Sequence, residues 1–160
     1  CAERATWCRA HQRAVPDLDG GVAELQRKLR NLERGLIDPS PLMKVWGEIA
    51  HASITENFEV GGRPPWRPLS PATIQRKGHA RPLIGRTGNL SRIIVQPGRD
   101  FVKIGVSPAA RSYAAIHQFG GQAGRNRKVK IPARPYLVLQ PEDETEMQQA
   151  AIVYVGRLAG

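Results

Sequence analysis

The chain has 160 residues, which is enough for one compact domain with its own apolar core. Hydrophobic residues make up 41% of it, and no apolar run is long enough to cross a membrane. The two cysteines, Cys1 and Cys8, both lie at the extreme N-terminus, which argues against a disulfide framework.

Positive charge is concentrated in the middle of the chain. Residues 1–60 hold eight Lys or Arg and nine Asp or Glu, whereas residues 61–135 hold fifteen Lys or Arg and one acid, Asp100. Residues 136–160 hold one Arg and four acids. Such a cationic segment suits a polyanion such as nucleic acid, the acidic surface of a neighbouring subunit, or a plain solvated face.

The N-terminal segment differs in character from the rest. We interpret residues 1–21 as an irregular arm, and the missing initiating Met allows this arm to be a non-native extension or a processed end. The segment is rich in Arg and lacks the apolar core of a signal peptide. A single domain is predicted over residues 22–160. Because Cys1, Cys8 and His11 match no usual zinc spacing, we expect no metal site and no cofactor.

The first elements are predicted to be helices. One has apolar residues three and four positions apart, at Val22, Leu25, Leu29, Leu32 and Leu36. It should end at Asp38-Pro39, and Ser40 is the predicted N-cap of a second helix that runs to about Phe58. The short connection predicts a helical hairpin. Ser70-Pro71 predicts a third, short helix over residues 72–77.

Strands are predicted after Leu90. Residues 93–95 and the alternating residues of 102–106 should pair around a Pro97-Gly98 turn. A short helix follows over Arg111–Phe119. Residues 120–130 are predicted to be a mobile basic loop because they are rich in Gly, Arg and Lys. Short strands are predicted over residues 128–131 and 136–139.

A final helix is predicted from Pro141, with acids in its first turn where the helix dipole favours them. Its inner stripe should comprise Met147, Ala151, Tyr154, Val155 and Leu158. Since helices and strands do not alternate, the fold class is α+β. We expect a helical hairpin and short helices packed on a small antiparallel sheet, with a C-terminal helix and a mobile basic loop.

The sequence lacks the motifs of the common enzyme classes. It contains no phosphate-binding loop, dinucleotide fingerprint, zinc-protease helix or nucleophile elbow. A metal-dependent nuclease needs clustered acids, and residues 61–135 offer only Asp100. A structural or interface role suits His117, on its predicted helix, better than a role as general base. We therefore predict that the protein is not an enzyme.

Several short motifs occur together and in a fixed order. They are Ile54-x-x-x-Phe58, Gly61-Gly62-Arg63-Pro64-Pro65-Trp66-Arg67-Pro68-Leu69, Thr73-x-x-x-Lys77, Leu83-Ile84-x-x-Thr87-Gly88-x-Leu90, Val102-x-Ile104-Gly105, Tyr113-Ala114-x-Ile116-His117-Gln118-Phe119-Gly120-Gly121 and Ile131-Pro132-Ala133-Arg134-Pro135-Tyr136-Leu137. From about Val22 to Leu158 this arrangement resembles the phage virion morphogenesis family. It departs from the family pattern at Ser91-Arg92, where a small polar pair is expected before the strand.

The resemblance implies a structural protein of the neck or tail end of long-tailed phages, including Mu-like phages. Such a protein completes the tail or joins it to the head. The expected partners are further copies in a ring, with a hexamer matching the sixfold tail, other neck or tail proteins, and non-specific contact with the genome DNA. Assembly is expected in the host cytoplasm and the final location in the virion, with no membrane partner. The alternative is a non-catalytic nucleic-acid-binding module.

Particular residues carry specific hypotheses. Trp66 follows two prolines and is expected to anchor a rigid segment, in the core or against a neighbour. Phe119 is expected to anchor a helix end. Pro132 and Pro135 flank Arg134 and are expected to aim it at an acidic partner, the alternative being an ordinary surface side chain. The candidates for a subunit interface or a DNA channel are Arg125, Arg127, Lys128, Lys130 and Arg134.

Overall fold

The computed structural model describes residues 18–160, whose helices and small antiparallel sheets confirm the α+β class. The described helices are α1 (Leu18–Ile37), α2 (Ser40–Val60), α3 (Pro71–Lys77), α4 (Arg111–Phe119) and α5 (Pro141–Ala159). The strands are β1 (Ile93–Pro97), β2 (Val102–Val106), β3 (Gly121–Ala123) and β4 (Val129–Ile131). Most of the predicted arm, with Cys1, Cys8 and His11, lies outside the described residues.

One compact unit contains α1 together with residues 155–160. The helix begins at Leu18 rather than at Val22, so Gly20 and Gly21 lie within its first turns. Within this unit, the Leu158 side chain packs against the backbone of Gly35. The predicted apolar stripe stays more than half exposed at Val22, Leu25, Leu29 and Leu36. The antiparallel pairing of α1 with α2 remains a prediction.

The second unit spans Asp38–Tyr154, and its first helix starts differently from the prediction. Pro39, not Ser40, occupies the N-cap position of α2. The Asp38 carboxylate accepts a hydrogen bond from the Ser40 backbone N–H at 3.2 Å, and bonding to Ser40 lowers the pKa of Asp38. The predicted start of α3 at Ser70-Pro71 is confirmed, and the Ser70 side chain caps the helix by accepting a hydrogen bond from the Thr73 N–H.

The predicted hairpin is confirmed as β1 and β2. The two strands are antiparallel, with Ile93 opposite Val106 and Val95 opposite Ile104. Helix α2 crosses this sheet with its small residue Gly47 directly against Val95. A 3₁₀ turn over Pro108–Ala110 then leads into α4, whose predicted range is confirmed.

The core joins residues from α2, the Pro-rich segment, the hairpin and the region after β4. It comprises Ile54, Phe58, Trp66, Leu90, Ile93, Ala110 and Tyr136. Trp66 is only 7% exposed, its Nε1–H donates to the Pro135 carbonyl at 2.7 Å, and its ring meets Phe58 edge-on. Gly62 has a φ of +100°, and a Cβ there would lie 2.5 Å from the indole. The core interpretation of Trp66 is therefore confirmed.

The strand predicted over residues 136–139 is absent from the described fold, because side chains take the place of a strand partner. Gln118 Oε1 accepts hydrogen bonds from the backbone N–H groups of Tyr136 and Leu137. Asn57 Nδ2 donates to the carbonyl oxygens of Tyr136 and Val138. This segment thus satisfies its backbone through two amide side chains.

Helix α5 is fixed at its start by a buried acid. The Asp143 carboxylate accepts hydrogen bonds from the Ser53 hydroxyl and from the Gln140 backbone N–H. The predicted inner stripe is partly wrong: Met147, Ala151, Tyr154 and Leu158 are half-buried, but Val155 is exposed. The period of the helix places Val155 beside the stripe rather than within it.

Candidate functional site

A short basic hairpin replaces most of the irregular loop predicted over residues 120–130. β3 and β4 pair with Gln122 opposite Lys130, and a tight turn between them puts Asn126 and Arg127 at positive φ. The prediction that residues 120–130 lack regular structure is therefore wrong. Their mobility stays a prediction. Four exposed cations line this hairpin, namely Arg125, Arg127, Lys128 and Lys130. None of them forms an ion pair within residues 18–160.

The Arg134 side chain is buried and forms hydrogen bonds within the fold. It is 6% exposed, and its guanidinium donates to the backbone carbonyls of Arg67 at 2.9 Å and Pro68 at 3.2 Å. Burial, reinforced by the charge of Arg67, lowers the pKa of Arg134. The expectation that Pro132 and Pro135 aim this side chain at a partner is wrong, because the guanidinium ties the segment after β4 to the Pro-rich segment.

His117 lies on α4 beside these cations. Its ring packs edge-on against Tyr113, and its Nδ1 atom is buried without a hydrogen-bond partner in the described structure. Burial lowers the pKa of His117, and the charges of Arg134 and Lys77 lower it further. The imidazole is therefore neutral near pH 7.

Two adjoining hollows of about 460 and 570 Å³ surround His117, and we call them together the cationic cavity. They share Leu69, Thr73, Arg76, His117 and Arg134. Among residues 18–160, six cationic residues line the cavity and no Asp or Glu does; the six are Arg67, Arg76, Lys77, Arg86, Lys130 and Arg134. Several motif residues form its remaining wall, namely Thr87, Leu90 and Tyr113. Sequence reasoning had identified these motif residues without assigning them a shared place.

Phe119 does not anchor the end of α4 as predicted. Its side chain is 79% exposed and borders a hollow of about 620 Å³ lined by Val106, Ala115 and Leu137, among others. The reason is the turn at Gly120, which has a φ of +74° and lies so close to Ala133 that a Cβ would sit 2.8 Å from its nitrogen. The chain reverses there and leaves the ring outside.

A second, oppositely charged hollow lies between α2 and α5, and we call it the acidic groove. Its volume is about 510 Å³, its walls include Val45, Glu48, Glu146 and Val153, and no Lys or Arg of residues 18–160 lines it. The sequence analysis missed this feature because Glu48 and Glu146 are far apart in the chain. The spacing of Glu142 and Glu146 on one helix face was an available signal.

Other kinds of site are not evident in the described residues. Within residues 18–160, no three His, Cys, Asp or Glu side chains are grouped closely enough to hold a metal ion. No helix of the described part is both long enough and apolar enough to cross a membrane.

Comparison with known proteins decides the family. The sequence pattern of the phage virion morphogenesis family matches residues 21–156, which is most of the chain. The chain belongs to this family. It is also 38% identical over 124 residues to "Mu-like prophage FluMu G protein 2" of Haemophilus influenzae, and the match covers 78% of this chain and 83% of that relative. No solved structure matches it. Membership of this family places the protein in the building of phage particles.

Proposed function

We propose that this family member is a non-catalytic ring subunit of the phage neck or tail end, where it completes the tail or joins it to the head. Membership of a morphogenesis family and similarity to a Mu-like prophage protein support a structural role. The ring is proposed to be a hexamer, because a subunit that caps a sixfold tail matches its symmetry.

The observation that carries ring assembly is the exposure of Phe119 beside an apolar hollow. A large aromatic that is 79% exposed at the end of a helix is costly in a monomer and typical of an interface. The cationic cavity and the acidic groove provide oppositely charged surfaces on the same unit. A contact between two different surfaces of identical subunits generates a ring when its rotation closes.

Genetic complementation tests this proposal. Deletion of the gene from its phage should produce heads and tails that fail to form infectious particles, and the wild-type gene should restore them. The Phe119→Ala protein should fold normally but restore few particles. The control is Phe101→Ala, which removes an aromatic that is about half exposed at the β1–β2 turn, where its ring contacts Lys103. Normal particles from the deletion strain would contradict the proposal.

A nucleic-acid-binding module is the second candidate, and the four exposed cations of the β3–β4 hairpin, which form no ion pair within residues 18–160, favour it. The two functions differ in how DNA binds. A channel lining should bind DNA weakly, without sequence preference and with steep salt dependence. Sequence-specific binding that persists at high salt would favour the module.

A further inference from the structure

Among residues 18–160, no acidic side chain neutralises the cations of the cationic cavity. The Arg134 and Lys77 side chains donate to backbone carbonyls, whereas the Arg76 and Arg86 side chains have no hydrogen-bond or ion-pair partner in the described residues. Burial lowers the pKa of Lys77, and the nearby charge of Arg134 lowers it further because like charges repel. A bound anion would relieve this repulsion, and guanidinium groups bind carboxylates in a two-bond geometry.

The walls of the cavity favour a protein ligand over a nucleic acid. Leu69, Leu83 and Leu90 line it together with the ring of Tyr113, so the cations stand beside apolar surface. A DNA backbone has no apolar side groups to cover such walls. An acidic protein segment presents carboxylates and apolar side chains together. The hollow of about 460 Å³ is large enough for a few such side chains.

Three acidic side chains on the same unit have no partner in the described structure. Glu142 and Glu146 are exposed on α5 one helical turn apart, and Glu146 lines the acidic groove together with Glu48 of α2; we call these three residues the acidic face. Within residues 18–160, none of the three carboxylates forms an ion pair or a side-chain hydrogen bond. Like charges four residues apart on a helix repel each other, so this face also gains from a cationic partner.

We propose that the cationic cavity of one subunit binds the acidic face of a second copy, with Arg76 and Arg86 receiving Glu142 and Glu146. The two surfaces match in charge, each combines charged with apolar groups, and within residues 18–160 neither has an oppositely charged partner. Because the two surfaces differ, successive copies associate head to tail. This inference rests on the proposed ring function and identifies the contact that builds it.

A charge exchange tests the contact in the complete chain during phage assembly. One variant carries Arg76→Glu and Arg86→Glu, and another carries Glu142→Arg and Glu146→Arg. Each alone should lower the infectious titre in complementation by about tenfold or more, since like charges then face each other. The chain that carries all four changes should restore the titre. So should co-expression of the two variants, because each cavity can then meet an opposite face.

The controls separate this contact from folding and from net charge. Lys44→Glu with Arg92→Glu changes charge equally at exposed positions outside the cavity and should leave the titre unchanged. Thermal melts verify that each variant folds. If a reversal does not fold, the neutral change at the same positions replaces it: Arg76→Gln with Arg86→Gln for the cavity, or Glu142→Gln with Glu146→Gln for the acidic face. If the cavity reversal lowers the titre but the chain with all four changes does not restore it, the inference is wrong. That result would indicate DNA or another protein as the ligand of the cavity. Imaging that places the wild-type chain away from the neck and tail would refute the proposed function while leaving a successful rescue intact.

Discussion

Gln118 holds Tyr136 in the core through its side-chain oxygen. Gln118 Oε1 accepts a hydrogen bond from the Tyr136 backbone N–H at 3.0 Å, and Tyr136 is 1% exposed. The Tyr136 hydroxyl reaches back to the Ala114 carbonyl at 3.2 Å on the same helix as Gln118. Helix α4 therefore holds Tyr136 at both its backbone N–H and its hydroxyl. These two bonds also help to position Arg134, two residues earlier, in the wall of the cationic cavity.

Substitutions at Gln118 should distinguish the role of its side-chain size from the role of its Oε1 atom as a hydrogen-bond acceptor. Gln118→Leu leaves the N–H groups of Tyr136 and Leu137 without a partner and should lower the free energy of unfolding by about 2 kcal/mol. Gln118→Glu keeps an acceptor oxygen and should lower it much less. Denaturant unfolding measures both. Equal losses for the two variants would show that the acceptor is unimportant.

Trp66→Ala should lower the free energy of unfolding by about 3–5 kcal/mol, because it removes a buried aromatic from the centre of the core. Trp66→Phe retains a ring against Phe58 but loses the bond to the Pro135 carbonyl, so its cost should be smaller. Thermal or denaturant unfolding compares the pair. A Trp66→Ala protein as stable as wild type would move the residue to an interface.

Arg134→Ala should destabilise the isolated protein by about 2 kcal/mol, since hydrogen bonds from charged donors contribute more than neutral ones. Arg134→Lys should also be less stable than wild type, because a single ammonium cannot reproduce the fork that spans Arg67 and Pro68. Stability equal to wild type in both variants would return Arg134 to the surface role that its sequence context suggests.

The hairpin cations should behave in the opposite way. Replacing Arg125, Arg127, Lys128 and Lys130 with Ser should keep the melting temperature within a few degrees, because exposed changes cost little. The yield of infectious particles should nonetheless fall. An unchanged yield would remove the hairpin from the list of assembly surfaces.

The same hairpin should open readily in the free subunit. Two strands of three residues each are marginal on their own, and the four like charges repel. Hydrogen exchange should therefore find residues 122–128 poorly protected in the monomer. Strong protection there would show that the hairpin is a rigid part of the fold.

His117 should make stability depend on pH in a defined direction. The folded state lowers its pKa below the ordinary 6.5, so the unfolded chain binds the proton more readily. The contribution of His117 to the free energy of unfolding is therefore complete when the pH is above the ordinary pKa. It is lost as the pH falls from there through the lower pKa of the folded state. Burial is the main cause of this pKa shift, and the charges of Arg134 and Lys77 act in the same direction, while Arg67, Arg76, Arg86 and Lys130 line the same cavity.

His117→Gln should accordingly reduce the loss of stability between about pH 7 and pH 5. Denaturant unfolding of variant and wild type at several pH values measures the difference in slope. Parallel curves for the two proteins would contradict the account of His117. A carboxylate bound in the cavity should raise the pKa of His117 again, which NMR titration of the ring can follow.

Local patterns in the sequence were sufficient for several of the regular elements. The alternation over residues 102–106 predicted the range of β2, and the glycine after Phe119 predicted the end of α4, whereas β1 was predicted to end at residue 95 and extends to Pro97. The Ser70 cap and the buried Trp66 also follow from neighbouring residues. These features depend on interactions that are close in the chain or on a large apolar side chain that must be covered.

Features that depend on distant partners were not predicted. The segment after Pro135 contains strand-forming residues, but its backbone groups bind Asn57 and Gln118 instead of a strand. Arg134 follows a cationic segment of the chain, yet its guanidinium donates to the backbone carbonyls of Arg67 and Pro68, more than sixty residues earlier. The cationic cavity likewise brings together residues from four separate segments, so the composition predicted the positive charge but not the site.

Imaging of intact phage particles by cryo-electron microscopy is the most direct test of the central claim. Particles should contain this chain as a closed ring at the neck or tail end, with the cationic cavity of each subunit against α5 of the next. Absence of the chain from both the neck and the tail end of complete particles would contradict the account.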